Sequence, residues 1–286
     1  MMIDILFNKV KENGVVCVGL DTSMDYIPEK ILSDGRNPDN ALFNFNKGII
    51  DSTKDIVACY KVQIAYYEAY GIEGLMAYKK TLEYLRDEGL ICIADIKRGD
   101  ISTTGKMYAK AHFEGDFEAD FITINPYMGL DSIEPFIDYI EKNNKGLFVL
   151  LKTSNPGARN FEYLESQGKP IYYHIGDRVL EISNKFIGKS GYSRIGFVAG
   201  GTDAKDAKEI RERYENSFLL VPGYGAQGGK AEDIKSYLKE GNGAIVNSSR
   251  GIIAAHLKEE TKLEFDELAR EKTLMMRKDL GYEGNI

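Results

Sequence analysis

The segment IADIKRGDI, where the apolar run LICIADIK ends, contains three residues whose spacing could serve catalysis: Asp95, Lys97 and Asp100. Side chains alternate between the two sides of a β-strand, so Asp95 and Lys97 should project from the same side. Charged groups in so apolar a run are costly to bury unless they are paired. A lysine held between carboxylates keeps its proton and can act as a general acid toward a carbon that gains negative charge. The segment therefore predicts a catalytic Asp–Lys pair followed by a further aspartate.

Lys61, in the β-rich segment CYKVQ, predicts a second ammonium group beside this cluster. Together with Asp95, Lys97 and Asp100 it would form a tetrad of two lysines and two aspartates. A carboxylate beside an anionic substrate group repels that group in the ground state, and the repulsion disappears when the group leaves as neutral carbon dioxide. The tetrad therefore favours a decarboxylation.

Two segments near the end of the chain, PGYGAQGGKAED and NSSRGII, have the composition of a phosphate site. Glycines permit close approach of the backbone to a ligand. Gln227 supplies an amide donor, and Arg250 supplies the bidentate fork that suits phosphate. Neither segment is specific alone, but in a barrel enzyme the loops after the last two strands often bind phosphate together.

The elements that must position these residues alternate between short β-rich runs and longer amphipathic segments, which is typical of a parallel sheet buried on both faces. Eight strands are predicted, at Val15–Leu20, Ile56–Gln63, Leu90–Ile96, Phe121–Asn125, Leu147–Thr153, Arg194–Ala199, Phe218–Pro222 and Ala244–Asn247. The helical segments between them are Gly74–Glu88, Asp131–Asn143, Ile171–Phe186, Asp203–Glu215 and Ala231–Lys239. This pattern predicts a closed (β/α)8 TIM barrel, with its chemistry at the carboxyl ends of the strands.

Residues 1–286 are predicted to form one catalytic domain, because no linker or shift in composition divides the chain. A helix at Ile3–Lys11 should plug the amino-terminal end of the barrel, and a final helix is predicted at Leu263–Leu280. The stretch Asn160–Gly191, after the fifth strand, is long enough to carry an extra element.

The charge of the chain argues against polyanionic partners. Its 286 residues include 37 Lys and Arg against 44 Asp and Glu, a net charge of −7, so neither nucleic acid nor an anionic membrane is an expected partner. No apolar run approaches a membrane span, and the first residues lack the pattern of a signal peptide. Cys17, Cys59 and Cys92 are expected to be reduced core residues, and a cytoplasmic location is expected.

The sequence resembles the orotidine 5′-phosphate decarboxylase family, in particular its longer bacterial subgroup. The resemblance rests on IADIKRGDISTT, on GLD and YKVQ before it, and on TSNPGA, VPGYGAQGG and SSRG after it, and it spans all eight predicted strands. It implies conversion of orotidine 5′-phosphate to uridine 5′-phosphate and CO2, the last step of UMP biosynthesis. It also implies that no metal or organic cofactor is used, and that the protein is a homodimer with active sites shared across the interface.

The resemblance implies a role for each matching residue. Lys97 corresponds to the proton donor to C6, Asp95 to the carboxylate facing the departing CO2, and Lys61 to the second lysine. Asp100 and Thr104 correspond to residues that enter the neighbouring subunit's site. The other implied residues bind the substrate: Asp21 at the ribose hydroxyls, Ser154 at the pyrimidine ring, Pro222 in the glycine-rich segment, and Gln227 and Arg250 at the phosphate. Ser249 departs from the glycine that many members have before this arginine.

Two alternatives remain at this point. Magnesium-dependent keto-gulonate phosphate decarboxylases and hexulose phosphate synthases share the Asp-x-Lys-x-x-Asp motif, but they carry an acidic metal-serving residue where this chain has Lys61. A hard cation needs oxygen ligands, so the lysine argues against that chemistry. A noncatalytic barrel that binds a phosphorylated metabolite is the other alternative, but it would have little need for all four residues of the tetrad.

Overall fold

The computed structural model describes residues 1–32, 37–200, 204–225, 229 and 231–283. Eight parallel strands close into a barrel in the order β1-β10-β9-β8-β5-β4-β3-β2, and a separate two-stranded sheet pairs β6 with β7. The barrel strands are β1 Val16–Gly19, β2 Cys59–Gln63, β3 Cys92–Arg98, β4 Phe121–Ile124, β5 Gly146–Lys152, β8 Ser193–Ala199, β9 Ser217–Pro222 and β10 Ala244–Ser248. All eight predicted strands and the closed TIM barrel are thus confirmed.

Helices follow the strands and cover the outside of the barrel. Their bounds are α1 Met2–Asn13, α2 Pro38–Thr53, α3 Ala65–Glu68, α4 Gly71–Asp87, α5 Ser102–Phe113, α6 Glu134–Lys142, α7 Ile171–Ser183, α8 Ala204–Arg213, α9 Ala231–Lys235, α10 Arg250–Ile253 and α11 Phe265–Asp279. Each predicted helix is present, with ends that differ by a few residues. Asp203, which was predicted to begin a helix, lies outside the described residues.

The sequence analysis did not predict α2, although its start carries a recognisable signal. Asn37 caps the helix by accepting a hydrogen bond from the Asp39 backbone N–H at 2.8 Å, and Pro38 is the first helical residue. Proline suits that position because its missing N–H would have no partner there.

Helix α1 lies across the amino-terminal end of the barrel, as predicted. Three of its own residues, Ile3, Leu6 and Val10, are buried. Its backbone contacts loops that lead into different strands: Met2 N–H donates to Asn144 Oδ1 at 2.7 Å, and Phe7 C=O accepts from Asn242 Nδ2 at 3.1 Å. The helix therefore closes the end opposite to the one where the strands finish.

The insertion after β5 carries the extra element that its length predicted. It contains a two-stranded antiparallel sheet, β6 Glu165–Ser166 with β7 Lys169–Pro170, which leads directly into α7. Within the described residues no helix is long and apolar enough to cross a membrane.

Candidate active site

A cavity of about 350 Å³ opens at the carboxyl ends of the barrel strands. That volume lies within the usual range for sites that bind small molecules. Seven of the ten predicted site residues line it: Asp21, Lys61, Asp95, Lys97, Ser154, Pro222 and Arg250. The closed barrel brings together residues more than 200 positions apart in the chain, because each follows a different strand.

Asp95 is the centre of a hydrogen-bond network at the base of the cavity. It is 5% exposed, and each carboxylate oxygen accepts two hydrogen bonds. Its Oδ2 accepts from Lys61 Nζ at 2.9 Å and from Gln63 Nε2 at 2.9 Å. Its Oδ1 accepts from Lys97 Nζ at 2.6 Å and from Thr123 Oγ1 at 2.8 Å. Four donors from three neighbouring strands therefore hold this carboxylate in one orientation.

The charges of this network stabilise one another despite burial. Burial would raise the pKa of Asp95, but the ammonium groups of Lys61 and Lys97 outweigh it and hold that pKa well below its ordinary value. Burial would likewise lower the pKa of Lys61, yet the carboxylates of Asp21 and Asp95 raise it above its ordinary value. Lys61 Nζ lies 3.1 Å from Asp21 Oδ1. Asp95 and Lys61 are therefore both ionised at neutral pH.

Lys97 reaches the cavity through an irregular backbone. The pairing of β3 with β4 shifts register between Ala94 and Arg98, and Lys97 has a φ of 45°. A residue other than glycine in this left-handed region costs roughly 1–3 kcal/mol and persists only where its surroundings impose it. The backbone N–H of Lys97 donates to Thr123 Oγ1 at 3.0 Å. Lys97 and Asp95 both line the cavity, as the alternation predicted, but through this distortion rather than through a regular strand.

A second buried network fixes the loop that carries Asp21. Thr22 donates to Asn46 Oδ1 at 2.6 Å, and Asn46 Nδ2 donates to the Tyr67 hydroxyl at 2.8 Å. The Tyr67 hydroxyl in turn donates to the Leu20 carbonyl at 3.0 Å. The residues on both sides of Asp21 are thus anchored to α2 and α3, which orients its carboxylate toward Lys61.

The loops after β9 and β10 form the side of the cavity where Arg250 lies. Gly223 has a φ of 102°, which permits the sharp turn after Pro222. Gly19 of β1 allows the Ser249 side chain to lie close to the strand backbone, since a Cβ at Gly19 would lie 2.0 Å from Ser249 Oγ. Gln227, predicted to bind phosphate, lies outside the described residues.

Asp100 and Thr104 do not line the cavity of their own chain. Asp100 Oδ1 accepts a hydrogen bond from the Ile101 backbone N–H at 2.8 Å, and Thr104 is exposed on the first turn of α5. Two other polar residues at strand ends also point elsewhere. Asn125 is exposed and accepts from the Tyr127 N–H, while Lys152 is 1% exposed and pairs with Asp206 of α8.

Thr123 is a site residue that the sequence analysis missed. It is 1% exposed and bonds both members of the predicted catalytic pair. Its only sequence signal is a hydroxyl residue in the apolar run FITI, two positions before Asn125, where the predicted strand ends. Gln63, the last residue of β2, contacts Asp95 directly.

The described residues contain no group of three or more His, Cys, Asp or Glu side chains arranged to hold a metal ion. The three cysteines are free and buried, in agreement with their prediction as core residues. Burial raises the pKa of the Cys59 and Cys92 thiols, so both are poor nucleophiles.

Comparison with known proteins assigns the family. The model of the orotidine 5′-phosphate decarboxylase / HUMPS family matches residues 14–264. The chain belongs to this family. An orotidine 5′-phosphate decarboxylase of Clostridium perfringens is 58% identical over 278 residues, 97% of each chain. The one from Clostridium acetobutylicum is 56% identical over 282 residues, 98% of this chain and 99% of its own.

The fold matches solved structures of the same kind. The Leishmania donovani OMP decarboxylase superposes with a TM-score of 0.70 at 27% identity, covering 96% of this chain and 98% of its own. Membership of the family and the full-length match to relatives named decarboxylases make the chain a carboxy-lyase, as the sequence analysis expected.

Proposed function

We propose that the protein converts orotidine 5′-phosphate to uridine 5′-phosphate and CO2, the last step of UMP biosynthesis, without a cofactor. The observation that carries the proposal is the alternating array of Asp21, Lys61, Asp95 and Lys97, in which Lys61 and Asp95 are buried, at the base of a cavity that Arg250 also lines. Among the described lining residues, three cations accompany two carboxylates, which suits a substrate with a phosphate and a carboxylate.

In the proposed reaction the bond between C6 of the pyrimidine and its carboxylate breaks. The electron pair stays on C6, and the group leaves as neutral CO2. Lys97 Nζ then transfers a proton to C6. Its side chain lines the cavity and is 42% exposed, and Asp95 holds its ammonium group in place. Asp95, itself held ionised, repels the substrate carboxylate before the bond breaks but not the neutral product.

Lys61 supports the decarboxylase over the magnesium-dependent members of the family. Its ammonium group lies between carboxylate oxygens of Asp21 and Asp95, at 3.1 Å and 2.9 Å. The ammonium group therefore occupies the position in which a divalent cation could bind the carboxylate oxygens of Asp21 and Asp95.

The direct test follows the ultraviolet absorbance of orotidine 5′-phosphate on adding purified protein, with a chelator present. We expect turnover in the wild type, and a Lys97→Ala protein should lose at least about 10²-fold in kcat, as the loss of a general acid typically costs. Lys142→Ala, which removes an exposed lysine of α6, is the matched control. Near-normal turnover by Lys97→Ala would overturn the role of this lysine.

Arg250 is proposed to bind the phosphate, with Pro222 and Gln227 in the neighbouring loop. Arg250→Ala should raise KM about 10- to 100-fold and leave binding of the phosphate-free nucleoside unchanged, because only a charge-assisted phosphate contact is lost. Arg178→Ala, an exposed arginine of α7, serves as the control. Unchanged affinity for the nucleotide in Arg250→Ala would refute the assignment of the phosphate position.

A homodimer that shares its active sites is proposed as the functional state. Its support is that Asp100 and Thr104 stand outside their own cavity, on a helix start whose residues Ile101 and Met107 are 37% and 61% exposed. Mixing Asp100→Ala with Lys97→Ala protein should restore activity in hybrid dimers, since one of the two sites then has both residues. Heterodimers that form without recovering activity would place each site within one subunit.

The remaining parts of the proposal concern the whole chain. We propose that residues 1–286 form one catalytic domain, which is supported by α1 and α11 packing on the barrel itself. A cytoplasmic location stays a prediction, and the three free thiols support it.

A further inference from the structure

The insertion after β5 reaches back to the cavity through one carboxylate, that of Glu162. The Thr153 backbone N–H donates to Glu162 Oε2 at 2.8 Å, and the Thr153 hydroxyl lies 2.5 Å from Glu162 Oε1. Thr153 directly follows β5, so its N–H is beyond the end of that strand. Glu162 thus satisfies a backbone donor at the point where the chain enters the cavity wall.

The segment held in this way, Thr153 to Asn155, is itself part of the cavity wall. On its other side it is in contact with Gly200, where a Cβ would lie 2.7 Å from the Ser154 backbone nitrogen. The Gly200 N–H donates to the Lys152 carbonyl at 2.8 Å. The segment therefore lies between the chain after β8 and the carboxylate of Glu162, and its position depends on both.

Glu162 is a fixed part of the structure rather than a mobile surface carboxylate. Its N–H donates to the Ala158 carbonyl at 2.8 Å, and its carbonyl accepts from the Tyr172 N–H at 3.2 Å. The next residue, Tyr163, donates its hydroxyl to Asp206 Oδ2 at 2.8 Å. Asp206 also pairs with the buried Lys152 at 3.1 Å, which ties the insertion to the end of β5 a second time.

The place of this segment in the barrel indicates which part of a ligand it meets. In the barrel order β5 is three strands from β10, which precedes Arg250, and two strands from β3, which carries Lys97. In the proposed complex, with the phosphate at Arg250 and C6 at Lys97, we therefore assign the base to the segment after β5, in agreement with the role that the resemblance implies for Ser154. The Ser154 hydroxyl and the Asn155 amide are groups that can bond the polar edge of a pyrimidine.

We propose that Glu162 is a positioning residue, which orients the segment Thr153 to Asn155 against the pyrimidine of the substrate. This inference rests on the proposed function, since the ligand is the one named there. It assigns a role to the insertion: the insertion supplies the carboxylate that holds one wall of the site.

Binding of two ligands by calorimetry tests this role. In Glu162→Ala we expect affinity for uridine 5′-phosphate to fall about 10-fold, in the range of a lost charged hydrogen bond. Affinity for ribose 5-phosphate, which lacks the base, should stay within about twofold of the wild type. Glu162→Gln should bind both nearly as the wild type does, because its amide oxygen still accepts from the Thr153 N–H and its NH2 can donate to the Thr153 hydroxyl. Glu165→Ala, an exposed carboxylate of β6, is the control.

Hydrogen exchange at the Thr153 amide gives a second measurement, which does not depend on the ligand. The amide should be protected in the wild type and in Glu162→Gln, and should exchange faster in Glu162→Ala. Equal loss of affinity for both ligands, or unchanged affinity for both, would overturn the inference while leaving wild-type turnover intact. A wild type without turnover would instead overturn the proposed function, and with it the ligand assigned to this segment.

Discussion

Removing one hydroxyl group from Thr123 tests how far the catalytic lysine depends on the neighbouring strand. Thr123→Val keeps the shape and the β-branched side chain, so β4 should be preserved. It removes the donor to Asp95 Oδ1 at 2.8 Å and the acceptor for the Lys97 N–H at 3.0 Å. Asp95 keeps its bonds to both lysines, whereas the Lys97 N–H loses its part-buried bond to Thr123 at a residue with a left-handed φ of 45°.

The size of the effect follows from these two contacts. A hydrogen bond to a charged group contributes about 1.5–3 kcal/mol, and an orphaned buried donor costs about 1–3 kcal/mol. Because the two effects share one site and do not simply add, we expect the free energy of unfolding to fall by about 3 kcal/mol. Released from its partner, the backbone at Lys97 should relax, and a displacement of about 1 Å at a reacting group costs about 10²-fold in rate.

The assay combines kcat/KM for orotidine 5′-phosphate with urea unfolding of the same proteins. Thr123→Ser, which keeps the hydroxyl, should stay within about threefold of the wild type in kcat/KM. Thr273→Val is the matched control, since Thr273 is equally buried but donates only to the Ala269 carbonyl within α11. A Thr123→Val enzyme with wild-type kcat/KM would refute the reasoning, as would an equal loss in the control.

Two further predictions concern buried groups away from the cavity. His112 is 3% exposed, and burial lowers its pKa to about 4. The neutral imidazole therefore stabilises the fold at pH values above the pKa of the unfolded state, about 6.5, and this contribution is lost as the pH falls toward 4. His112→Phe should therefore flatten the fall in unfolding free energy between pH 7 and 4 by up to about 3 kcal/mol. Asp206→Ala should lower the free energy of unfolding by about 3–5 kcal/mol, because it leaves the Lys152 ammonium buried without its carboxylate, and Lys152→Met in the same protein should recover part of that loss, as chemical denaturation would show.

The sequence by itself determined the type of fold and most of the chemistry. Eight apolar β-rich runs with amphipathic segments between them leave few ways to bury both faces of a parallel sheet, and the closed barrel is one that fits their number. Once the strands are known, residues such as Lys61 and Arg250 are expected to line the same end of the barrel, because the carboxyl ends of all its strands face the same way. Local sequence also contained the start of α2, through the pair Asn37 and Pro38.

Only the tertiary structure decided how the catalytic lysine is held and which polar strand ends face the cavity. Alternation within β3 predicts the side of Lys97 but not its left-handed backbone, which depends on Thr123 of the adjacent strand. Lys152 has the same sequence context as a site residue, yet it pairs with Asp206 from a helix 54 positions later. Glu162 likewise contacts Thr153 only because the insertion folds back. In each case the partner lies on another element, and a contact set by packing between elements leaves no periodic trace in the sequence.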